Sequence, residues 1–62
     1  MVGYRWRFTT SSRKKQLQMA AEIGGLRGVV GYIGATFVEV VGLTSGQAGY
    51  IARKYHVKLD RI

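Results

Sequence analysis

The sequence predicts a small α+β domain in which two helices cover one face of a four-stranded antiparallel sheet. Two observations predict this class. Four short segments are rich in β-branched or aromatic residues or alternate in polarity, as strands do. Two further segments repeat apolar residues at helical spacing behind N-cap residues. The length of 62 residues, without Cys, predicts one domain over 1–62 with a modest core and no disulfide.

The first strand is predicted over residues 3–9. Tyr4, Trp6 and Phe8 fall on one face at period two, and Arg5 and Arg7 fall on the other. Because aromatic side chains gain most from burial, we expect all three to lie beneath the helices. Both guanidinium groups then lie on the opposite face of the sheet.

The first helix is predicted to begin after the cap-forming segment 9–12 and to end near Ile23, where Gly24-Gly25 is a stop signal. Its spacing predicts that Leu17, Ala20 and Ala21 face the core, with Met19 and Ile23 at the edge of that side. We expect Trp6 to pack near Leu17 and Ala21. The polar residues predicted to face solvent are Lys15, Gln18 and Glu22.

A β-hairpin is predicted in the middle of the chain. Residues 28–33 and 36–41 favour extended structure, and Gly34-Ala35 fits a two-residue turn between them. We expect the second of these strands to end at Gly42. Its side chains Val38 and Val40 should be buried. The alternating residues Phe37, Glu39 and Val41 should then lie on the uncovered face.

The second helix has the clearest start signal. Thr44-Ser45-Gly46-Gln47 matches the capping box, in which Thr or Ser is followed three residues later by Glu or Gln. Ala48, Ile51, Ala52 and Tyr55 follow at i, i+3, i+4 and i+7, which is one helical face. Residues 57–61 alternate in polarity and predict a last short strand.

The resulting order, β-α-β-β-α-β, resembles the ferredoxin-like, or split βαβ, arrangement. Right-handed crossovers would place strands one and three at the centre of the sheet, so that Glu39 can meet Arg5 or Arg7. This arrangement supports many unrelated functions, so it implies none by itself.

Charge gives the main functional signal. Ten Lys and Arg oppose three acids, for a formal charge of +7, which favours a polyanionic partner. Arg13, Lys14 and Lys15 stand in the predicted first turn of helix one, where cations oppose the helix dipole. Because stability alone would favour acids there, we expect the triplet to bind phosphate, together with Arg27 and the hydroxyls of 10–12.

The uncovered sheet face is a second candidate, and three interpretations of it stay open. Phe37 with Arg5 and Arg7 could form a base-stacking platform, although the ribonucleoprotein octamer is absent from 35–40. The same face could form a sheet-to-sheet homodimer, or could be simply solvated. Basic residues near the second helix end are expected to extend the cationic surface. The predicted nucleic-acid-binding residues are Arg13, Lys14, Lys15, Arg27, Arg5, Arg7, Phe37, Arg53, Lys54 and Lys58.

Enzymatic chemistry is not predicted. Glu22, Glu39 and Asp60 are far apart in sequence, so a catalytic metal site is not expected, and no cofactor motif occurs. His56 has no carboxylate nearby and no Cys to activate, so we expect a partly exposed residue at a helix end. The glycine-rich segment 24–28 lacks the Lys-Ser/Thr ending of a phosphate-binding loop.

The sequence therefore predicts a small basic nucleic-acid-binding module that contacts phosphates with little sequence preference. One alternative is an inhibitor or adaptor that binds an acidic protein surface. A second is a cationic, bacteriocin-like membrane-active peptide. We expect no membrane span, because the longest apolar stretch, 28–43, contains Glu39 and is shorter than the ~20 residues a span needs. No secretory signal is seen, which favours the cytoplasm.

Overall fold

The computed structural model describes residues 4–62. The elements follow one another as β1 (Tyr4–Thr9), α1 (Arg13–Gly25), β2 (Val29–Ile33), β3 (Phe37–Leu43), α2 (Ser45–Tyr55) and β4 (Lys58–Arg61). The predicted α+β class and element order are confirmed, and 28–43 forms two strands rather than one helix. Residue 3, the predicted start of the first strand, lies outside the described residues.

The four strands form one antiparallel sheet in the order β2-β3-β1-β4, so β1 and β3 are the central pair. Tyr4 pairs with Leu43 and Arg5 with Val41, which leaves Gly42 as the extra residue of a bulge. Gly42 has φ +95, a conformation that glycine adopts without strain. The predicted strand end at Gly42 is therefore wrong, because this glycine bends β3 and does not end it.

The hairpin turn lies one residue later than predicted. The Gly34 N–H donates to the Phe37 carbonyl at 2.7 Å, so the two turn residues are Ala35 and Thr36. Gly34 is buried, and a Cβ at this position would lie 2.8 Å from a ring carbon of Phe37. This glycine therefore makes room for an aromatic ring, a role that the sequence pattern did not indicate.

Helix α1 begins as predicted, but its buried face is shifted toward the predicted edge residues Met19 and Ile23. The Ser12 hydroxyl caps it by accepting from the Lys15 N–H at 3.2 Å, and the helix continues to Gly25, two residues beyond the predicted end. Its buried residues are Gln16, Met19 and Ile23. The predicted core residue Leu17 is 55% exposed, and Ala21 is also exposed.

Gln16 explains the error. Its side-chain amide is 1% exposed and donates to the Thr10 carbonyl at 2.9 Å and to the Gly34 carbonyl at 3.0 Å. A polar side chain can be buried when both of its donor hydrogens are satisfied in this way. The amide thus ties the start of α1 to the β2–β3 hairpin, and with Gln16 buried the neighbouring Leu17 faces outward.

Helix α2 agrees with its prediction. The Thr44 hydroxyl accepts from the Gln47 N–H at 3.1 Å, and the Gln47 side chain accepts from the Thr44 N–H at 3.0 Å, which completes the capping box. Ala48, Ile51 and Ala52 are buried, and Tyr55 packs beside them at the edge of the core. His56 ends the helix as an exposed residue in the left-handed conformation.

The core lies between the two helices and one face of the sheet. Trp6 is 6% exposed, and its indole N–H donates to the Leu43 carbonyl at 2.9 Å. Helix α2 packs against β1, whereas α1 packs against β2 and β3, so the predicted contact of Trp6 with Leu17 and Ala21 is wrong. Tyr4 is exposed, contrary to expectation, because it is the first residue of β1, at the end of the sheet, although one side of its ring packs edge-on against Trp6.

Candidate functional site

The sheet face opposite the core is left uncovered by the helices of residues 4–62. Cross-strand pairing joins Val29, Val41 and Arg5 in one row, Tyr32, Glu39, Arg7 and Asp60 in the next, and Phe37, Thr9 and Lys58 in a third. We call this surface the open face. Side chains in one such row lie about 5 Å apart and can interact directly.

An ion pair occupies the centre of the open face. Arg7 Nη2 donates to Glu39 Oε2 at 2.9 Å, which confirms the predicted meeting of β1 and β3 charges. The Arg7 guanidinium also lies 5.2 Å from the Phe37 ring centroid. Its Nε is buried and has no hydrogen-bond partner within residues 4–62. Phe37 is half-buried, so this predicted stacking residue is held between its neighbours.

Tyr32 is the open-face residue that the sequence interpretation missed. Its side chain is 58% exposed, and its ring centroid lies 5.6 Å from that of Phe37. Val30 pairs with Val40 and Tyr32 with Glu39, so Gly31 is an extra residue on β2. This bulge changes the alternation and puts Tyr32 on the open face. A glycine inside a strand pattern is the signal that could have indicated it.

Aliphatic side chains complete the open face. Val29 is 61% and Val41 is 38% exposed, and Ile62, whose N–H donates to the Arg5 carbonyl at 2.9 Å, is exposed beside them. Arg5, Val41 and Ile62 contribute to a shallow depression of about 100 Å³. The open face therefore carries exposed apolar side chains beside its central ion pair.

The cationic triplet lies where it was predicted, in the first turn of α1. Arg13 and Lys14 are exposed, Lys15 is half-buried, and no acidic residue shares this turn. The hydroxyls nearby are used locally, because Thr10 accepts from the Ser12 N–H at 3.2 Å and Ser12 accepts from Lys15. Their hydroxyl hydrogens remain available to an acceptor.

The structure separates the other predicted cations into different regions. Lys58 pairs with Thr9, at the end of the sheet where α1 begins, and projects on the open face. Arg53 is exposed in the last turn of α2. Arg27 follows the other end of α1, about 20 Å from the triplet at 1.5 Å per helical residue. Arg27 and the triplet therefore do not form one cluster.

Lys54 is engaged with Glu22 and links the two helices. Lys54 Nζ donates to Glu22 Oε1 at 2.9 Å, and the Tyr55 hydroxyl donates to the same oxygen at 2.8 Å. The hydrogen bond from Lys54, followed by that from Tyr55, holds the pKa of Glu22 below its ordinary value. The hydrogen bond to Glu22 raises the pKa of Lys54. This contact joins α1 to α2, so Lys54 has less freedom to reach a ligand than the other cations.

Charge is distributed unevenly between the open face and the rest of the surface. The open face carries three cations and two carboxylates, Glu39 and Asp60. The other seven Lys and Arg share one carboxylate, Glu22, which Lys54 already occupies. Within residues 4–62 the ion pairs are Arg7–Glu39 and Lys54–Glu22. Most of the charge of +7 therefore lies outside the open face.

No protein-family model, curated protein or solved structure matches this chain. Over residues 4–62, neither helix has the length and apolar content that crossing a membrane requires.

Proposed function

We propose that this protein binds nucleic acid through phosphate contacts made by the cations that lie outside the open face. The observation that carries the proposal is the segregation of charge: seven Lys and Arg on that surface share one carboxylate. Six of the seven side chains are exposed. A surface of this kind attracts a phosphate backbone and releases its counterions, and it needs no base-reading group to do so.

The position of the triplet supports the same function. Each cation in the first turn of a helix opposes the dipole by about 0.3–1 kcal/mol. Arg13, Lys14 and Lys15 have no carboxylate partner within residues 4–62 that would offset this cost. The backbone N–H groups at the start of the helix point the same way and favour an anion. A phosphate group would turn three unfavourable charges into favourable contacts.

The test replaces all three residues of the triplet with Gln. We expect the fold to persist and the melting temperature to rise slightly, because the charge–dipole repulsion is removed. Affinity for single-stranded RNA, single-stranded DNA and duplex DNA should fall, and the slope of log K against log salt should flatten by about 2–3. An unchanged slope would remove the triplet from the binding surface. Weak wild-type binding to every oligonucleotide at low salt would instead favour an acidic protein partner.

We also propose that the chain has the ferredoxin-like arrangement. The strand order supports it. Read from the other edge, the observed order is β4-β1-β3-β2, with strands one and three at the centre as this arrangement requires. The long connections from β1 to β2 and from β3 to β4 each contain one helix, as two split βαβ units require. The test is an experimental structure, in which the handedness of both crossovers should be right-handed. A left-handed crossover would contradict this assignment.

A further inference from the structure

We propose that the open face is the interface of a homodimer, in which two copies of this chain pack sheet against sheet. The proposal does not depend on nucleic-acid binding. It begins from the exposed apolar side chains that share this face: Val29, Tyr32, Val41 and Ile62. An aliphatic group gains from burial against another apolar surface, and it contributes little to stacking a base.

Charge favours a second copy as the occupant. Two molecules of charge +7 repel one another over most of their surface. The open face is the region where three cations meet two carboxylates, so repulsion is weakest there. A nucleic acid would find less positive charge on the open face than elsewhere on the protein. The same surface is thus the poorer site for a polyanion and the better one for a like-charged copy.

The order of side chains across the sheet is complementary to itself. A two-fold axis parallel to the strands, between β1 and β3, would place β1 of one copy over β3 of the other. Arg7 would then lie opposite the partner's Glu39, and Glu39 opposite the partner's Arg7. At the edges, Val29 would lie opposite the partner's Ile62. Opposite charges would meet at the centre, and the same operation would set Tyr32 against the partner's Asp60 and Val41 against the partner's Arg5.

The size of the face limits the area that the dimer can bury. Four strands about 4.8 Å apart and about 20 Å long cover on the order of 400 Å². A standard interface buries about 800 Å² of each partner, which would be about a fifth of the 3971 Å² accessible surface. The open face offers less than this, so we expect a weak, reversible dimer that exchanges rapidly.

Dimerisation would leave the cationic surface on the outside of both copies. The triplet and the other cations outside the open face would stay clear of the interface in each copy, so the dimer could contact two stretches of one polyanion. Linked contacts of this kind raise the apparent affinity for a long strand above that for a short one, with no new contact.

The experiment compares variants that add the same positive charge in different places. Val41→Lys and Val29→Lys put a Lys on the open face, whereas Leu17→Lys puts one on the exposed side of α1. Sedimentation velocity over a concentration series, without nucleic acid, measures self-association. We expect the wild type and Leu17→Lys to dimerise alike, and each open-face variant to weaken association by at least about tenfold. Circular dichroism checks that each variant is folded.

Two results would overturn the proposal. The first is a wild type that stays monomeric into the millimolar range. The second is self-association that all three variants share equally, which would place the interface elsewhere. If the open-face variants instead lose affinity for single-stranded oligonucleotides while the wild type is monomeric, this face stacks bases. Loss of nucleic-acid binding by the wild type, with self-association intact, would contradict the proposed function and leave the dimer standing.

Discussion

Replacing Gln16 with Met tests whether the buried amide holds the start of α1 to the β2–β3 hairpin. Met matches the unbranched shape of Gln but cannot donate to the Thr10 and Gly34 carbonyls, which the amide reaches at 2.9 and 3.0 Å. Each hydrogen bond contributes about 0.5–1.5 kcal/mol, and a buried carbonyl left unpaired costs more. The greater apolarity of Met offsets part of this, so we expect a net loss of about 2 kcal/mol.

That loss is large for a small chain, whose total stability is typically about 3–9 kcal/mol. Urea unfolding followed by the fluorescence of Trp6, the one tryptophan in the sequence, measures it. Gln18→Met is the matched control, because Gln18 is exposed on the same helix. We expect the Gln18 variant to unfold within about 0.5 kcal/mol of the wild type. Equal stability of the two variants would refute the structural role given to Gln16.

Two further predictions concern the core and the helix–helix contact. Trp6→Ala should lower the free energy of unfolding by about 3–5 kcal/mol, since it removes a buried ring and its hydrogen bond to Leu43. Urea unfolding followed by circular dichroism measures the loss. A loss below about 1 kcal/mol would contradict this packing. Glu22 has a folded pKa below its ordinary 4.5, so its contribution is present above that pH and is lost as the pH falls through the folded pKa. Thermal melts from pH 7 to 3 should therefore show a smaller acid loss for Glu22→Gln than for the wild type, and equal losses would count against the contact with Lys54.

The sequence predicted the elements of this fold better than the faces they bury. The capping box at Thr44 and the apolar positions of α2 could be predicted because that helix has one continuous amphipathic pattern. The buried face of α1 was predicted wrongly because it includes a polar residue, Gln16, whose side chain is satisfied outside the helix, at Thr10 just before it and at Gly34 in the β2–β3 hairpin. Hydrogen bonds between parts of the chain that are far apart in sequence leave no periodic signal.

The candidate surfaces could also be predicted from the sequence only in part. The Arg7–Glu39 pair followed from alternation and from the central position of β1 and β3. Tyr32 did not, because the bulge at Gly31 shifts the alternation of β2 by one residue. The ion pair of Lys54 with Glu22 was not predicted either, because it joins two helices whose relative rotation depends on packing. Local patterns thus locate charges along the chain, whereas their partners depend on tertiary structure.

We propose that nucleic acid binds to the cations outside the open face and not to those on it. The most direct test compares two double variants that each lower the charge by two: Arg13→Gln with Lys14→Gln, and Arg5→Gln with Lys58→Gln. Fluorescence anisotropy of a labelled duplex at a series of salt concentrations gives the slope of log K against log salt. We predict that the first variant flattens this slope by about 2 and that the second leaves it near the wild-type value. A larger change from the second variant would place the nucleic acid on the open face and contradict the proposed binding surface.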